Sequence, residues 1–359
     1  MNQVDRVTIE TGTPYEVLIG SGLLEQAGRE IAAVVPPCRA VIVADSNVDP
    51  IYGDVVERSM TAAGFAVTRH VFPAGEPSKN LDTLTGILTA MAEAGLTRQD
   101  LAVALGGGVT GDMTGLAAAL YLRGIRYVQL PTTLLAAVDS SVGGKTAVDF
   151  AGRKNIVGAF YQPSLVLCDI DTFYTLPTAV YRDGLAESVK YGVIWDAALF
   201  ERFAAPDVPD MQAVVARCVA IKGEIVAQDE RDTGLRQLLN FGHTPGHAIE
   251  ACSGYSVSHG HAVAAGMCIM ARAATREGIC VDDTAARLEA ILRQAGLPTT
   301  ASYPASALAA AALADKKRRG DTVTLVVPKC MGVCELHRIP VAELETFFAR
   351  GLEEDACVR

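Results

Sequence analysis

Four of the chain's six histidines, His243, His247, His259 and His261, fall in one short stretch running from NFGHTPGHAIE to SVSHGHAVAAGM. Neutral imidazole is the commonest ligand for divalent transition metals, and an open catalytic zinc site takes three protein ligands, often with a carboxylate among them. One histidine in an Ala- and Gly-rich apolar segment is usually an ordinary hydrogen-bonded polar residue. Four together would each need a partner, and a shared metal or anion supplies one. The i, i+4 pair His243 and His247 is not an H-E-x-x-H zinc helix. Thr244 followed by Pro245 reads as N-cap and first helical residue, which puts His243 ahead of the helix that His247 begins. The two rings then need not share a face, so His243 can reach a metal while His247 serves as a hydrogen-bonding or proton-transferring neighbour. His259 also stands where a loop meets a helix, and Glu187 in GLAESVKYG offers a carboxylate one turn from Lys190. Glu187, His243 and His259 are the expected open zinc site.

Cations lie on the same segments: Lys190, Lys222, Arg236 and Lys316. On a chain of net charge −10, such a cluster points to a substrate carrying phosphate or carboxylate. A second constellation is LAVALGGGVTGDMTG, where Gly106, Gly108 and Gly111 have G-x-G-x-x-G spacing after an apolar strand and at the opening of a helix. Missing side chains there let backbone N–H groups approach a pyrophosphate, and the helix start adds partial positive charge. No acidic residue follows at the distance of an ordinary dinucleotide fingerprint, so Asp45 and Glu76, each after an earlier strand, are the alternative ribose holders; a tight structural turn is the plainer reading. SSVGGKT resembles the end of a P-loop, but Asp139 occupies the place of its first glycine. That leaves Lys145 beside glycines, hydroxyls and a carboxylate, a setting for an anion or polyol.

These residues need elements to hold them. VTIE, YEVLIG, RAVIVAD, AVTRHVF, LAVALG, RYVQLP and LVLCDI are short β-branched runs, most of them separated by segments of helical length, and the first two are joined at TGTP as a hairpin. The pattern predicts an α/β, Rossmann-like domain with a mostly parallel sheet and ligands at the strand carboxyl ends. Beyond residue 170 helical periodicity dominates, with TVTLVVP as an exception. An α/β domain over 1–175 that carries the glycine-rich loop and a mainly α-helical domain over 176–359 that carries the candidate metal and anion residues are expected, with the active site in a cleft between them. Half of the 359 residues are hydrophobic, yet no apolar run reaches bilayer length and MNQVDRVTIETG is not a leader, so neither membrane nor export is expected. Nine cysteines without framework spacing suit a reducing cytoplasm, and Cys330 and Cys334 lack the second pair of a structural zinc site. The acidic balance argues against a nucleic-acid partner, and KKRR at 316–319 reads as a solvated turn.

The strings GGGVTGD, RGIRYVQLPTTLLAAVDSSVGGKT, GRKNIVGAFYQP, GLAESVKYG, GLRQLLNFGHTPGHAIE, HGHAVAAGM and ADKK resemble the 3-dehydroquinate synthase family, within the sugar phosphate cyclases, nearly end to end. The resemblance implies zinc, with cobalt as an alternative, on Glu187, His243 and His259. It implies NAD held by Asp45, Glu76, Lys79, Gly107, Gly108, Val109, Asp112, Thr132, Thr133, Leu135, Asp139, Ser140, Lys145, Lys154, Thr175 and Leu176. It implies a sugar phosphate substrate held by Arg123, Asp139, Lys145, Lys190, Lys222, Arg236, Asn240, His247 and Lys316, of which Lys145, Lys190, Lys222, Arg236, Asn240 and His247 are the catalytic set, in a homodimer. The implied reaction converts 3-deoxy-D-arabino-heptulosonate 7-phosphate to 3-dehydroquinate and phosphate. It passes through transient oxidation by NAD, phosphate elimination, re-reduction, ring opening and intramolecular aldol closure, and NAD is regenerated each turnover.

Three residues depart from the family's pattern: His261 in place of the glutamate after the H-G pair, Val180 in place of a glutamate, and Pro245 in place of an apolar residue. His261 is open to three readings: perturbing the metal's surroundings, competing for the ion, or a neutral variant. Sedoheptulose 7-phosphate cyclases and metal-dependent polyol dehydrogenases are the rival activities. The former tend to carry other residues at 240 and 247, and the latter have no need of Lys190, Lys222 and Arg236.

Overall fold

The computed structural model describes residues 3–205, 209–315 and 321–352. The chain divides into two compact units, Met1–Pro177 with Met211–Arg231, and Thr178–Asp210 with Asp232–Arg359. The change of unit at 177/178 lies close to the residue 175/176 boundary expected from the sequence, but the helix Met211–Gln228 groups with the first unit.

The first unit is built on a seven-stranded sheet. Its strands are β1 (Asp5–Ile9), β2 (Tyr15–Gly20), β3 (Arg39–Asp45), β4 (Ala66–Phe72), β5 (Leu101–Gly106), β6 (Arg126–Pro131) and, after the hairpin β7 (Lys145–Phe150) and β8 (Arg153–Phe160), β9 (Leu165–Asp169). The order is β1-β2-β9-β6-β5-β3-β4. β1 and β2 form the antiparallel hairpin, with Asp5 opposite Ile19, and the remaining pairings in this sheet are parallel. Every residue of LAVALG in β5 is buried, as a central strand covered on both faces requires. Strand alternation sorts the side chains. Ile42, Val103 and Val128 pack with Val56 and Met60 of α2 (Asp54–Ala62), after the short α1 (Ala27–Ala32). Val41, Val43 and Ala102 face the other way, with Ile87 and Met91 of α3 (Leu81–Glu93) and Met113 and Leu116 of α4 (Gly108–Leu120). The chain runs outward from β3 to β4 and then returns to place β5 on the other side of β3. This reversal is the kind of switch point where such sheets bind ligands.

The second unit contains α5 (Thr178–Ile194) and α6 (Ala197–Ala204); the chain then passes through the first unit's α7 (Met211–Gln228) and returns for α8 (His243–Cys252), α9 (His259–Arg276), α10 (Thr284–Gln294) and α11 (Ala305–Asp315). A hairpin of β10 (Thr322–Cys330) and β11 (Val333–Pro340) and the helix α12 (Leu344–Gly351) complete it. α9 packs against α5, α8, α10 and α12 and is buried over most of its length. Small residues let it come close. A Cβ on Gly266 would lie 2.1 Å from the Gly242 carbonyl oxygen and 2.9 Å from the Gly246 nitrogen. Gly242 itself sits at φ +79 as the N-cap of α8, a conformation that favours glycine. This corrects the N-cap expected at Thr244: the glycine turn starts the helix sooner, so His243 is its first residue and Pro245 falls in its first turn, where its missing N–H is tolerated. Among the described residues, no helix is long and apolar enough to cross a membrane.

The α8–α9 contact is backbone against backbone and cannot be relieved by a rotamer change. Gly266→Ala should therefore cost at least roughly 1–3 kcal/mol, read as a lowered Tm by calorimetry. An unchanged Tm would show that the helices separate freely.

Candidate active site

Three helices bring the expected metal ligands together. Glu187 stands on α5 with Lys190 at i+3, and both side chains are only 1 % exposed. Glu187 Oε1 lies 3.5 Å from Nε2 of His243, at the start of α8, and 3.5 Å from Nε2 of His259, at the start of α9. The other ring nitrogens are engaged elsewhere. His243 Nδ1 lies 3.1 Å from the Phe241 carbonyl oxygen and His259 Nδ1 3.3 Å from Glu250 Oε2, which leaves each Nε2 for the centre. Zinc bonds of about 2.0–2.1 Å in a tetrahedron separate ligand atoms by about 3.3–3.4 Å, close to the two carboxylate–imidazole separations, and all three ligand atoms lie within 4.8 Å of one another, so the donor set fits a divalent ion. His247 joins them, its ring centroid 5.5 Å from that of His243 and 5.9 Å from that of His259. The prediction that His243 and His247 need not share a face is thus corrected: both belong to α8 and their rings meet edge to face. His247, Glu250 and His259 form a second group of donors with metal-ligand spacing, but it uses His259 again, whose Nδ1 faces Glu250 while its Nε2 faces Glu187.

The electrostatics favour a cation here. Burial, helped by Lys190, His259 and His247, pushes His243 down to about 3 against the pull of Glu187, so its Nε2 lone pair is available at neutral pH. Burial also opposes charge on His259, but hydrogen bonding to the carboxylates of Glu187 and Glu250 overrides it and raises this ring to about 10. Two buried carboxylates call for positive charge. A proton on His259 meets that demand, and a bound metal ion meets it equally.

The remaining expected residues distribute between the units. In the second unit, Lys190 pairs with Glu187 and lies 5.3 Å from the Tyr191 ring centroid. Arg236 is buried in the turn Leu235–Asn240 and Asn240 is exposed at the end of that turn. In the first unit, Lys222 of α7 donates to the backbone oxygen and to Oδ1 of Asp139, at 2.5 and 2.9 Å. Asp139 belongs to the wide turn Ala136–Ser140 after β6. Lys145 opens β7 with its side chain exposed, and Arg123 sits at φ 68 in the loop after α4. Lys316 lies outside the described residues.

The residues expected to hold NAD follow the carboxyl ends of parallel strands or lie on the β7–β8 hairpin. Asp45 ends β3; its Oδ1 accepts from the N–H groups of Asn47 and Val48, and its Oδ2 lies 3.4 Å from Thr110 Oγ1. Gly107 and Gly108 open α4. A Cβ at Gly108 would stand 3.0 Å from Ser140 Oγ, at Gly107 3.2 Å from Thr133 Cγ2, and at Gly111 2.6 Å from Gln129 Oε1. Glycine spacing here therefore meets the packing demand of a tight strand-to-helix turn as well as leaving backbone exposed. Val109, partly buried, packs against the core. Thr132, whose N–H bonds to the Gly106 carbonyl, Thr133 and Leu135 follow β6. After β4, Glu76 pairs with Lys154 at 3.5 Å, and Lys79 reaches Asp112 and Asn155 at 2.6 Å each; Asp112 keeps the buried Lys79 protonated. Thr175, 2.7 Å from the Tyr52 hydroxyl, and Leu176 follow β9.

Glu250, Asp183 and Asn155 were not expected from the sequence. Glu250 had a signal in its i, i+3 spacing from His247 on one helix face. His261 does not approach the metal ligands: its Nδ1 lies 2.7 Å from Asp183 Oδ1 and 2.8 Å from Ser258 Oγ, and it is in neither group of candidate ligands. Glu250 fixes the tautomer and orientation of His259, so Glu250→Ala should weaken zinc binding about 10–100-fold in competition with a chromophoric chelator. Unchanged affinity would show that the ring is held by other means.

Comparison with known proteins identifies the family. The family model for the N-terminal part of 3-dehydroquinate synthase matches residues 69–183 and that for its C-terminal part matches residues 184–318. A 3-dehydroquinate synthase from Pelobacter propionicus is 42% identical over 357 residues, covering 97% of this chain and 99% of that one. Among solved structures, 2-epi-5-epi-valiolone synthase from Streptomyces hygroscopicus, with NAD+ and Zn2+ bound, is 28% identical with a TM-score of 0.85 over 97% of this chain and 99% of that one. A 2-deoxy-scyllo-inosose synthase complexed with carbaglucose-6-phosphate, NAD+ and Co2+ has the same TM-score at 24% identity, covering 98% and 100% of the two chains, and shows a shared fold. With both family models matched in succession and a relative this similar over almost its whole length, the chain belongs to the 3-dehydroquinate synthase family.

Proposed function

We propose that this protein converts 3-deoxy-D-arabino-heptulosonate 7-phosphate into 3-dehydroquinate and phosphate, with zinc held by Glu187, His243 and His259 and NAD held at the strand ends of the first unit. The observation that carries the reading is the buried Glu187 carboxylate, within 3.5 Å of two imidazole nitrogens and paired with Lys190. The close relatives named for this activity support it.

When bound, NAD supplies a hydride acceptor that is restored within the turnover, and zinc supplies a Lewis acid for substrate hydroxyls. The protein's own groups bind, orient and move protons. Lys190 and the buried Arg236 offer a point charge and a planar fork, which suit different oxygens of a carboxylate and a phosphate. Asn240, exposed at the end of its turn, suits the phosphate. His247, beside the two histidine ligands, is placed to take and return a hydroxyl proton, as a general base within hydrogen-bond reach does. Lys222 held by Asp139, together with Lys145, Arg123 and Lys316, completes the set that we assign to substrate.

We further place the enzyme in a reducing cytoplasm, in keeping with the free thiols of the eight described cysteines, and as a homodimer. Leu120, Leu122, Phe150 and Ile156 of the first unit are each more than 40 % exposed, an apolar set suited to burial against a second copy.

Purified protein given this substrate and catalytic NAD should release phosphate without accumulating NADH, and a chelator should abolish the release. Steady NADH production from polyols, or no phosphate release by zinc- and NAD-replete protein, would overturn the assignment.

A further inference from the structure

His261 stands two residues beyond His259, yet its ring turns to Asp183 and Ser258 rather than to the candidate ligands. We infer that Asp183, working with Ser258 and His261, is a positioning residue that locks the start of α9 onto α5 and thereby sets the separation of Glu187 and His259. The inference rests on the metal site assigned above and adds to it a bracket outside the ligand set.

Asp183 precedes Glu187 by four residues on α5, so the two share a helix face. Its Oδ1 accepts from the Ser258 hydroxyl at 2.7 Å and from the His261 backbone N–H at 3.0 Å, and lies 2.7 Å from His261 Nδ1. Facing a carboxylate, that nitrogen must be the protonated one. Ser258 and His261 flank His259, so one carboxylate oxygen of α5 grips both sides of a metal ligand on α9. The backbones touch at the same place: a Cβ on Gly260 would lie 2.2 Å from Asp183 Cα.

The capping pattern shows that this contact replaces an ordinary one. A serine at an N-cap normally accepts a hydrogen bond from a backbone N–H in its own helix's first turn. Ser258 is the N-cap of α9 but makes no such bond; its hydroxyl turns to Asp183, and Asp183 takes the His261 N–H that a cap would take. The local bond has been exchanged for an inter-helix one. A glutamate at 261, the residue that the family resemblance leads one to expect, would set a second carboxylate against Asp183. The histidine and the aspartate therefore belong together.

The test is zinc affinity by chelator competition, the visible d–d spectrum of the cobalt-loaded protein, and the Tm of the metal-free form. It would be applied to Asp183→Ala, Asp183→Asn, His261→Glu, and His261→Glu combined with Asp183→Asn. Asp183→Ala should weaken zinc binding roughly tenfold or more and shift the cobalt spectrum, while Asp183→Asn, which keeps the accepting oxygen, should retain most of the affinity. His261→Glu should weaken binding, and adding Asp183→Asn to it should recover binding, because an amide can donate where a carboxylate repels. Should Asp183→Ala fail to fold, the single and double changes at 261 decide the matter. Variants that bind zinc as tightly as the unaltered protein, with an unchanged cobalt spectrum and only a lowered metal-free Tm, would reduce the cluster to a helix cap and overturn the inference. Failure of the unaltered protein to bind either metal would instead overturn the metal site itself, and the inference with it.

Discussion

A carboxylate buried as deeply as that of Glu187 is costly unless positive charge and hydrogen-bond donors surround it. The second unit is arranged to supply them. Lys190 comes from the same helix one turn on, His243 and His259 come from the first residues of two other helices, and Glu250 turns the His259 ring so that its Nε2 faces inward. Helix starts can converge in this way only if the helices approach more closely than large side chains allow. Glycines at 242, 260 and 266 meet that requirement, so the steric demand of the backbone and the electrostatic demand of one carboxylate are met by the same few residues.

The first unit works by another principle. Its parallel strands end together, and the loops beyond β3, β4, β5, β6 and β9 carry most of the residues that the family resemblance assigns to NAD. A side chain at Gly107, Gly108 or Gly111 would press on Thr133, Ser140 or Gln129, so the strand-to-helix turn stays bare of side chains at these positions. Such a turn lets backbone at a helix start come close to a ligand.

The sequence made the parallel sheet and the candidate metal cluster legible for identifiable reasons. β-branched runs in RAVIVAD, LAVALG and RYVQLP bury both faces and leave little ambiguity, and a carboxylate beside a lysine on an otherwise apolar helix stands out. The β7–β8 hairpin did not show, because in KTAVDF and RKNIVGAF charged residues and a glycine mask the alternation. β11 was hidden for a similar reason: in VCELHRIP each face mixes polar and apolar residues, so no alternation shows. The helix Met211–Gln228 reads as an ordinary amphipathic segment, and nothing local tells that it packs on β1 and the turn holding Asp139. His243 was placed outside its helix because Thr-Pro is a strong start signal, while the left-handed turn at Gly242 is a tertiary choice enforced by α9. Glu250 and Asp183 were missed because a single acidic residue on a helix usually faces water, and their roles depend on which helix lies opposite.

The central claim is that one oxygen and two nitrogens from three helices create a metal centre, and X-ray absorption at the zinc edge of the zinc-loaded protein tests it most directly. The account predicts one zinc per chain with a shell of nitrogen and oxygen at about 2.0–2.1 Å and the outer scattering of two imidazoles. Sulfur scattering at about 2.3 Å, drawn from this chain's nine cysteines, or the absence of stoichiometric zinc, would contradict it.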